Sequence, residues 1–116
     1  ILGVSYKENT NSVKNSPALE ILQKNSFKNI YCYDPMADFS KVKYSFQKVN
    51  NYIAVIENCD LLIILTKWNE FKKITLSNLL KYMNGNIIID PFNVLRKLDL
   101  NKNGFRYFSK GDSIND

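Results

Sequence analysis

The chain has 116 residues, of which 45% are hydrophobic, 13% aromatic and 23% charged, with a net charge of +5; this is a globular composition, and one domain of this length buries about 60–70% of its unfolded surface. It contains no histidine, which excludes Ser-His and Cys-His nucleophiles and the commoner zinc sites. No apolar run approaches the ~18 residues that a membrane span needs, and fourteen of the sixteen cations are lysines scattered from Lys7 to Lys110, the mark of a solvated surface with a mild preference for anions rather than of a nucleic-acid-binding block.

Residues 1–6, ILGVSY, read as a strand. The chain opens inside that strand without an initiator methionine, so it is expected to be a piece of a longer protein; no signal peptide is visible and a cytoplasmic location is expected. A polar, lysine-bearing and asparagine-rich loop follows, and Ser16-Pro17 then has the form of an N-cap and first helical residue, with Ala18, Leu19, Ile21 and Leu22 as the apolar face. Residues 29–33, NIYCY, read as a second strand ended by Asp34-Pro35. A short extended piece is expected within 43–46. In 50–59, NNYIAVIENC, a helix face is formed by Tyr52, Ile53, Val55 and Ile56.

Residues 61–66, LLIILT, form a continuous aliphatic run suited to a strand covered on both faces. Ser77 is expected to cap a helix bearing Leu79, Leu80 and Met83 that leaves at Asn84-Gly85. Residues 86–90, NIIID, read as another buried strand, residues 104–111, GFRYFSKG, as a last and more amphipathic one, and the polar tail beyond Gly111 as frayed. Strands alternating with helices of 8 to 12 residues predict a three-layer α/β/α fold around a mostly parallel, Rossmann-like sheet of about five strands.

In such a sheet ligands bind beyond the carboxyl ends of the strands, where the strand order reverses. If that reversal lies between the first strand and 61–66, the residues facing it are Tyr6-Lys7, Thr66-Lys67-Trp68 and Asp90-Pro91-Phe92. Lysines beside aromatic rings near a helix start at Ser16 suit a phosphate carrying a flat ring. Each residue also has an ordinary use: Lys7, Lys14 and Lys67 as solvated lysines, Trp68 as a lid packed on a helix, Asp90 as a turn former. Gly3 stands alone, without the G-x-G-x-x-G or G-x-x-x-x-G-K that wraps a pyrophosphate. Asp34, Asp60 and Asp90 are scattered over different segments with no catalytic pairing, and Cys32 and Cys59 read as small buried hydrophobes in a reducing compartment. No catalytic residue and no metal site is expected within the chain.

The blocks LGVSYKENTNSVKNSPALEIL, YCYDP, CDLLIILTKWNEF, IIIDPFNVL and GFRYFSKG resemble, in order and spacing, the C-terminal domain of the UDP-glucose and GDP-mannose dehydrogenase family. The resemblance implies that residues 1–116 are the nucleotide-sugar-binding domain of an enzyme oxidising a sugar C6 alcohol to a carboxylate with two NAD, through a cysteine thioester outside this chain. It places substrate contacts on Tyr6 and Lys7 and a cofactor contact on Lys14, where the family has an arginine; lysine keeps the charge and loses the bidentate fork. Ser12 stands where the family is usually acidic, and Phe92 where many UDP-glucose enzymes carry a substrate-binding arginine. The expected partners are a UDP-sugar, favoured over a GDP-sugar, and the remaining domains of the same chain in a homodimer, with neither nucleic acid nor membrane. The alternatives are a stand-alone doubly wound regulatory or phosphate-binding module, for which Tyr6-Lys7 and Thr66-Lys67 are the wrong receiver chemistry, and a basic module binding duplex with a steep salt dependence.

Overall fold

The computed structural model describes residues 1–24 and 27–110; the expected frayed tail beyond Gly111, and Gly111 itself, lie outside these. Among the described residues three short helices form where the local chemistry favours them. In α1 (Pro17–Lys24) proline takes the first position, where its missing N–H costs nothing, and the Ser16 hydroxyl accepts from the Ala18 N–H at 3.1 Å. Asn51 caps α2 (Tyr52–Ile56) by accepting from the Ala54 N–H. The start of α3 (Leu76–Tyr82) differs from the expected Ser77: Thr75 is the cap, exchanging hydrogen bonds with Asn78 in a capping box. Both residues can cap, and the reciprocal partner three positions on decides for Thr75.

The strands are β1 (Tyr31–Cys32), β2 (Gln47–Lys48), β3 (Leu61–Ile63), β4 (Ile87–Ile89) and β5 (Arg106–Phe108). Every pairing among the described residues is parallel: β1 with β2, β3 with β4, and β4 with β5. The opening segment joins the two groups, since Leu2 bridges Tyr33 on one side and Ile64 on the other. Its ladder runs through Leu2 N–H to Ile63 C=O at 2.8 Å, Leu65 N–H to Leu2 C=O at 2.8 Å, and Gly3 N–H to Tyr33 C=O at 2.9 Å. The order across the sheet is therefore β2, β1, residues 1–4, β3, β4, β5, the doubly wound arrangement with its reversal between residues 1–4 and β3.

Two expectations shift in detail. The segment 43–46 is not extended; a 3₁₀ turn occupies Phe39–Lys41 and the strand comes at Gln47–Lys48. Apart from α1, with eight, the crossovers are also shorter than 8 to 12 helical residues, with five in α2, seven in α3 and only 3₁₀ turns, Arg96–Leu98 and Leu100–Asn103, between β4 and β5.

Two apolar clusters flank the sheet. Ala18 and Leu22 of α1 pack with Ile1, Val4, Cys32, Ile63 and Leu65 on one face. On the other, Val55 and Ile56 of α2, Leu79 of α3, Leu95 and Leu100 meet Leu2, Leu62, Ile64 and Ile88. The alternation of Ile63 and Leu62 between the faces follows from the two-residue period of a strand. These are the three layers expected. At the outer edge, the Tyr107 N–H donates to the Asn101 side-chain oxygen at 3.1 Å.

Candidate functional site at the carboxyl edge

Gly3 lets the two sides of the reversal close on each other. Its φ is +98°, and a Cβ there would lie 1.7 Å from the Thr66 Oγ1 and 2.6 Å from the Thr66 nitrogen. Only glycine combines that backbone with that approach. The buried Thr66 hydroxyl fills the space and has no hydrogen-bond partner among the described residues.

Above this contact the chain leaves the sheet at Ser5, and a single carboxylate organises its departure. Asp34, 6% exposed, accepts on Oδ2 from the Val4 N–H at 2.8 Å, the Ser5 N–H at 2.9 Å, the Ser5 hydroxyl at 2.9 Å and the Trp68 indole N–H at 3.2 Å. Its Oδ1 accepts from the Met36 and Ala37 N–H groups, both at 2.8 Å. The exits of the opening segment, β1 and β3 are thus tied to one ion. A buried carboxylate is tolerated only with such full satisfaction. Trp68 is the packed lid rather than a stacking platform, being buried with Phe71 and Ile74 in the core. The Tyr33 hydroxyl donates to Glu70 at 2.6 Å, fixing the turn Asn69–Lys73 against β1; burial and the neighbouring Glu70 carboxylate hold that phenol above the ordinary tyrosine range.

The loop 5–15 is built on this base. The Tyr6 N–H donates to the Ser12 C=O at 2.6 Å and the Asp38 N–H to the Asn11 C=O at 2.9 Å, and the single Ser5 hydroxyl proton has the Lys7 C=O, at 2.9 Å, as its alternative acceptor to Asp34. Asn9 and Asn15 take the left-handed region, at φ 63° and 62°, which asparagine accepts more readily than most residues. Val13 is the loop's buried anchor. Tyr6, Lys7, Ser12 and Lys14 are all exposed, so the loop holds an aromatic ring and two cations in solvent on a backbone pinned from beneath. Lys67 and Phe92 are exposed on the same edge.

Asp90 is fully buried and serves as the turn former. It accepts from the Val94 N–H at 3.0 Å, the Leu95 N–H at 2.7 Å and the Tyr107 hydroxyl at 2.6 Å. The two cysteines are free and shielded, their thiols pushed up to about 11 by burial, which leaves them poor nucleophiles near neutrality. No group of three or more metal-ligating side chains occurs among the described residues.

A cavity of about 650 Å³ lies at the opposite, amino edge of the sheet, lined by Ile1, Phe27, Tyr31, Cys59 and Leu61 among others, and a smaller one of about 330 Å³ adjoins it around Phe27–Ile30 and Ser45–Gln47. None of Tyr6, Lys7, Lys14, Thr66, Trp68 or Asp90 lines either. Sequence reasoning missed the role of Asp34; the Asp-Pro pair closing a strand was the available signal, since an aspartate there can take the N–H groups of the turn it begins.

The model of the UDP-glucose/GDP-mannose dehydrogenase family, UDP binding domain, matches residues 1–97. The chain belongs to this family. Among curated relatives, the UDP-glucose 6-dehydrogenase of Rickettsia prowazekii is 32% identical over 120 residues, covering 98% of this chain and 28% of its own. The UDP-N-acetyl-D-mannosamine dehydrogenase of Pyrococcus horikoshii is 32% identical over 99 residues, covering 84% of this chain and 22% of its own. The solved structure of the Pyrococcus horikoshii UDP-D-ManNAc dehydrogenase superposes with a TM-score of 0.74 at 30% identity over 95% of this chain and 24% of that one. The UDP-N-acetyl-mannosamine dehydrogenase of Staphylococcus aureus shares the fold with a TM-score of 0.66 at 23% identity over 98% of this chain and 26% of that one. The chain therefore spans about a quarter of the relatives it matches. Within the family match fall the Gly3–Thr66 contact, the Asp34 hub and the whole 5–15 loop.

Proposed function

We propose that residues 1–116 form the sugar-nucleotide-binding domain of an NAD-dependent nucleotide-sugar 6-dehydrogenase, with a UDP-sugar as substrate, working in the cytoplasm as part of a homodimer. The family match carries this reading, and the anchored 5–15 loop gives it a physical basis. Tyr6 and Lys7 stand at the strand-order reversal, where a sugar nucleotide would lie against the loop, Lys7 offering an ammonium to the diphosphate and Tyr6 an exposed ring and hydroxyl. The edge is one wall of a cleft, and the opposite wall belongs to the rest of the enzyme; this accounts for a polar exposed loop where a closed cavity would otherwise be expected.

NAD is the hydride acceptor in this chemistry. The chain's residues suit only a side contact with it, because a lone Gly3 gives no pyrophosphate-wrapping turn and Lys14 supplies a single exposed cation; we assign Lys14 that contact. Lysine in this place binds as a point charge and tolerates a displaced anion better than a bidentate fork would. Phe92 offers no charge to substrate, so the diphosphate depends more heavily on Lys7.

The test is a titration of the isotope-labelled chain with UDP-glucose followed by NMR. Shifts are expected to centre on residues 6–14, and Lys7→Met should weaken binding about tenfold, the loss of one charge-assisted contact. Shifts centred on the amino-edge cavity, at Phe27–Tyr31 and Cys59–Leu61, would overturn the assignment.

A further inference from the structure

The two halves of the sheet are covered unequally. On the face that α1 occupies, α1 and the Phe39–Lys41 turn serve β1, residues 1–4 and β3, and their cluster reaches β4 only at the half-buried Ile89. The register carries this face on to the other half, Ile63 pairing with Ile89 and Ile89 with Phe108, while Ile87 pairs with Arg106. Here Ile87 and Ile89 are only half-buried, although they stand on a strand with neighbours on both sides, and Arg106 and Phe108 are exposed. Phe108 keeps 50% of its surface in solvent, and Ile87 joins neither apolar cluster among the described residues. On the reverse face the same strands are fully served, Ile88 being buried and Tyr107 packed against the core. A parallel sheet is ordinarily covered on both faces. Among the described residues, the third layer reaches this face of β4 only at Ile89 and does not reach β5.

We propose that Ile87, Ile89, Phe108 and Arg106 form a docking face for an amphipathic helix contributed by the remainder of the same polypeptide, its apolar stripe on the isoleucines and Phe108 and a carboxylate opposite Arg106. This rests on the reading that the chain is one domain of a longer dehydrogenase. The relatives supply the length, since the matched region is 22–28% of their chains. A helix is specified because face-on cover of parallel strands is by helices, and because the Asn101 side chain takes the outward N–H of Tyr107, leaving that donor engaged against a strand added at the edge. A second copy of the domain is disfavoured: four side chains offer far less than the roughly 800 Å² per partner of a stable interface, and a two-fold axis through the patch would set Arg106 near its own copy. A tethered helix needs less area, because its effective concentration is in the millimolar range.

Hydroxyl-radical footprinting of the unmodified full-length polypeptide tests this. Phe108 and Tyr44 are 50% and 38% exposed in this domain, so without a docked helix they should oxidise at comparable rates once corrected for intrinsic reactivity. With the helix in place Phe108 should be slowed about tenfold relative to Tyr44. Parity overturns the proposal. To identify the occupant, Phe108→p-benzoylphenylalanine in a mixture of heavy and light isotopic protein is irradiated. Same-isotope crosslinks to a helical peptide outside residues 1–116 are expected; heavy–light crosslinks, or crosslinks to residues 111–116, overturn it. UDP-sugar affinity measured on the same protein separates this proposal from the nucleotide reading. Parity with binding intact removes only the docking face, and protection without binding removes only the nucleotide site.

Discussion

Asp34 and Asp90 look interchangeable in the sequence, each closing an apolar strand immediately before a proline, yet they hold the molecule at different ranges. Both are buried and both take the N–H groups of the turns they begin. Asp90 adds one partner from the neighbouring strand, the Tyr107 hydroxyl, whereas Asp34 reaches 30 residues back to Val4 and 34 forward to Trp68. The difference lies in position. Asp34 ends the strand beside the order reversal, where exits from both halves of the sheet come within reach of one carboxylate. Asp90 ends a strand in the middle of one half.

Asp34→Ala should have the largest effect, about 4 kcal/mol in urea unfolding from five N–H donors left without an acceptor, with the proposed UDP-glucose binding lost as the 5–15 loop comes free. Asp90→Ala should cost about 2–3 kcal/mol by the same measurement while the folded fraction keeps the proposed UDP-glucose binding; an equal loss of that binding would break the comparison. Trp68→Phe keeps an aromatic ring, though a smaller one, and removes one of the distant donors, and should cost about 1–2 kcal/mol, a value well below this placing the hub's strength in its local bonds.

Alkaline pH probes the same strand, because Cys32 sits two residues before Asp34. Its thiol, like that of Cys59, is raised from 9.0 to about 11. A raised folded value favours the protonated form, so stability is full below about pH 9 and falls as pH climbs through about 11. Cys32→Ala should flatten that decline in thermal melts across the range. The smallest effect is expected at Thr66→Val, within about 0.5 kcal/mol of the parent or slightly stabilising, since the Thr66 hydroxyl has no partner to lose.

Patterns read over one or two turns of chain were legible in the sequence. Ser16-Pro17 opens α1, LLIILT supplies β3, and continuous apolar runs gave the parallel layers, because a strand served on both faces has no polar alternation to hide it. Ser77 was the wrong cap because two capping residues stand two apart and the choice depends on Asn78 reaching back. The strand at 47–48 was shifted because Gln47 and Lys48 lie on an exposed edge and carry no apolar signal. That Tyr6 and Lys7 leave the sheet at its carboxyl edge could be read from the strand exit alone. Asp34 could not, since its meaning comes from donors 29 to 34 residues away, brought near only by the sheet order. Exposure was equally hidden: nothing in NIIID tells that Ile88 is covered and Ile87 only half so.

The seal that Asn101 places on the last strand has a consequence for life in a crowded solution. A parallel sheet ending in a bare ladder would recruit further strands from neighbouring molecules. With the Tyr107 N–H already engaged at 3.1 Å, the register has one fewer free donor to template growth. Asn101→Ala should therefore leave the fold nearly intact and show itself in the lag time of aggregation.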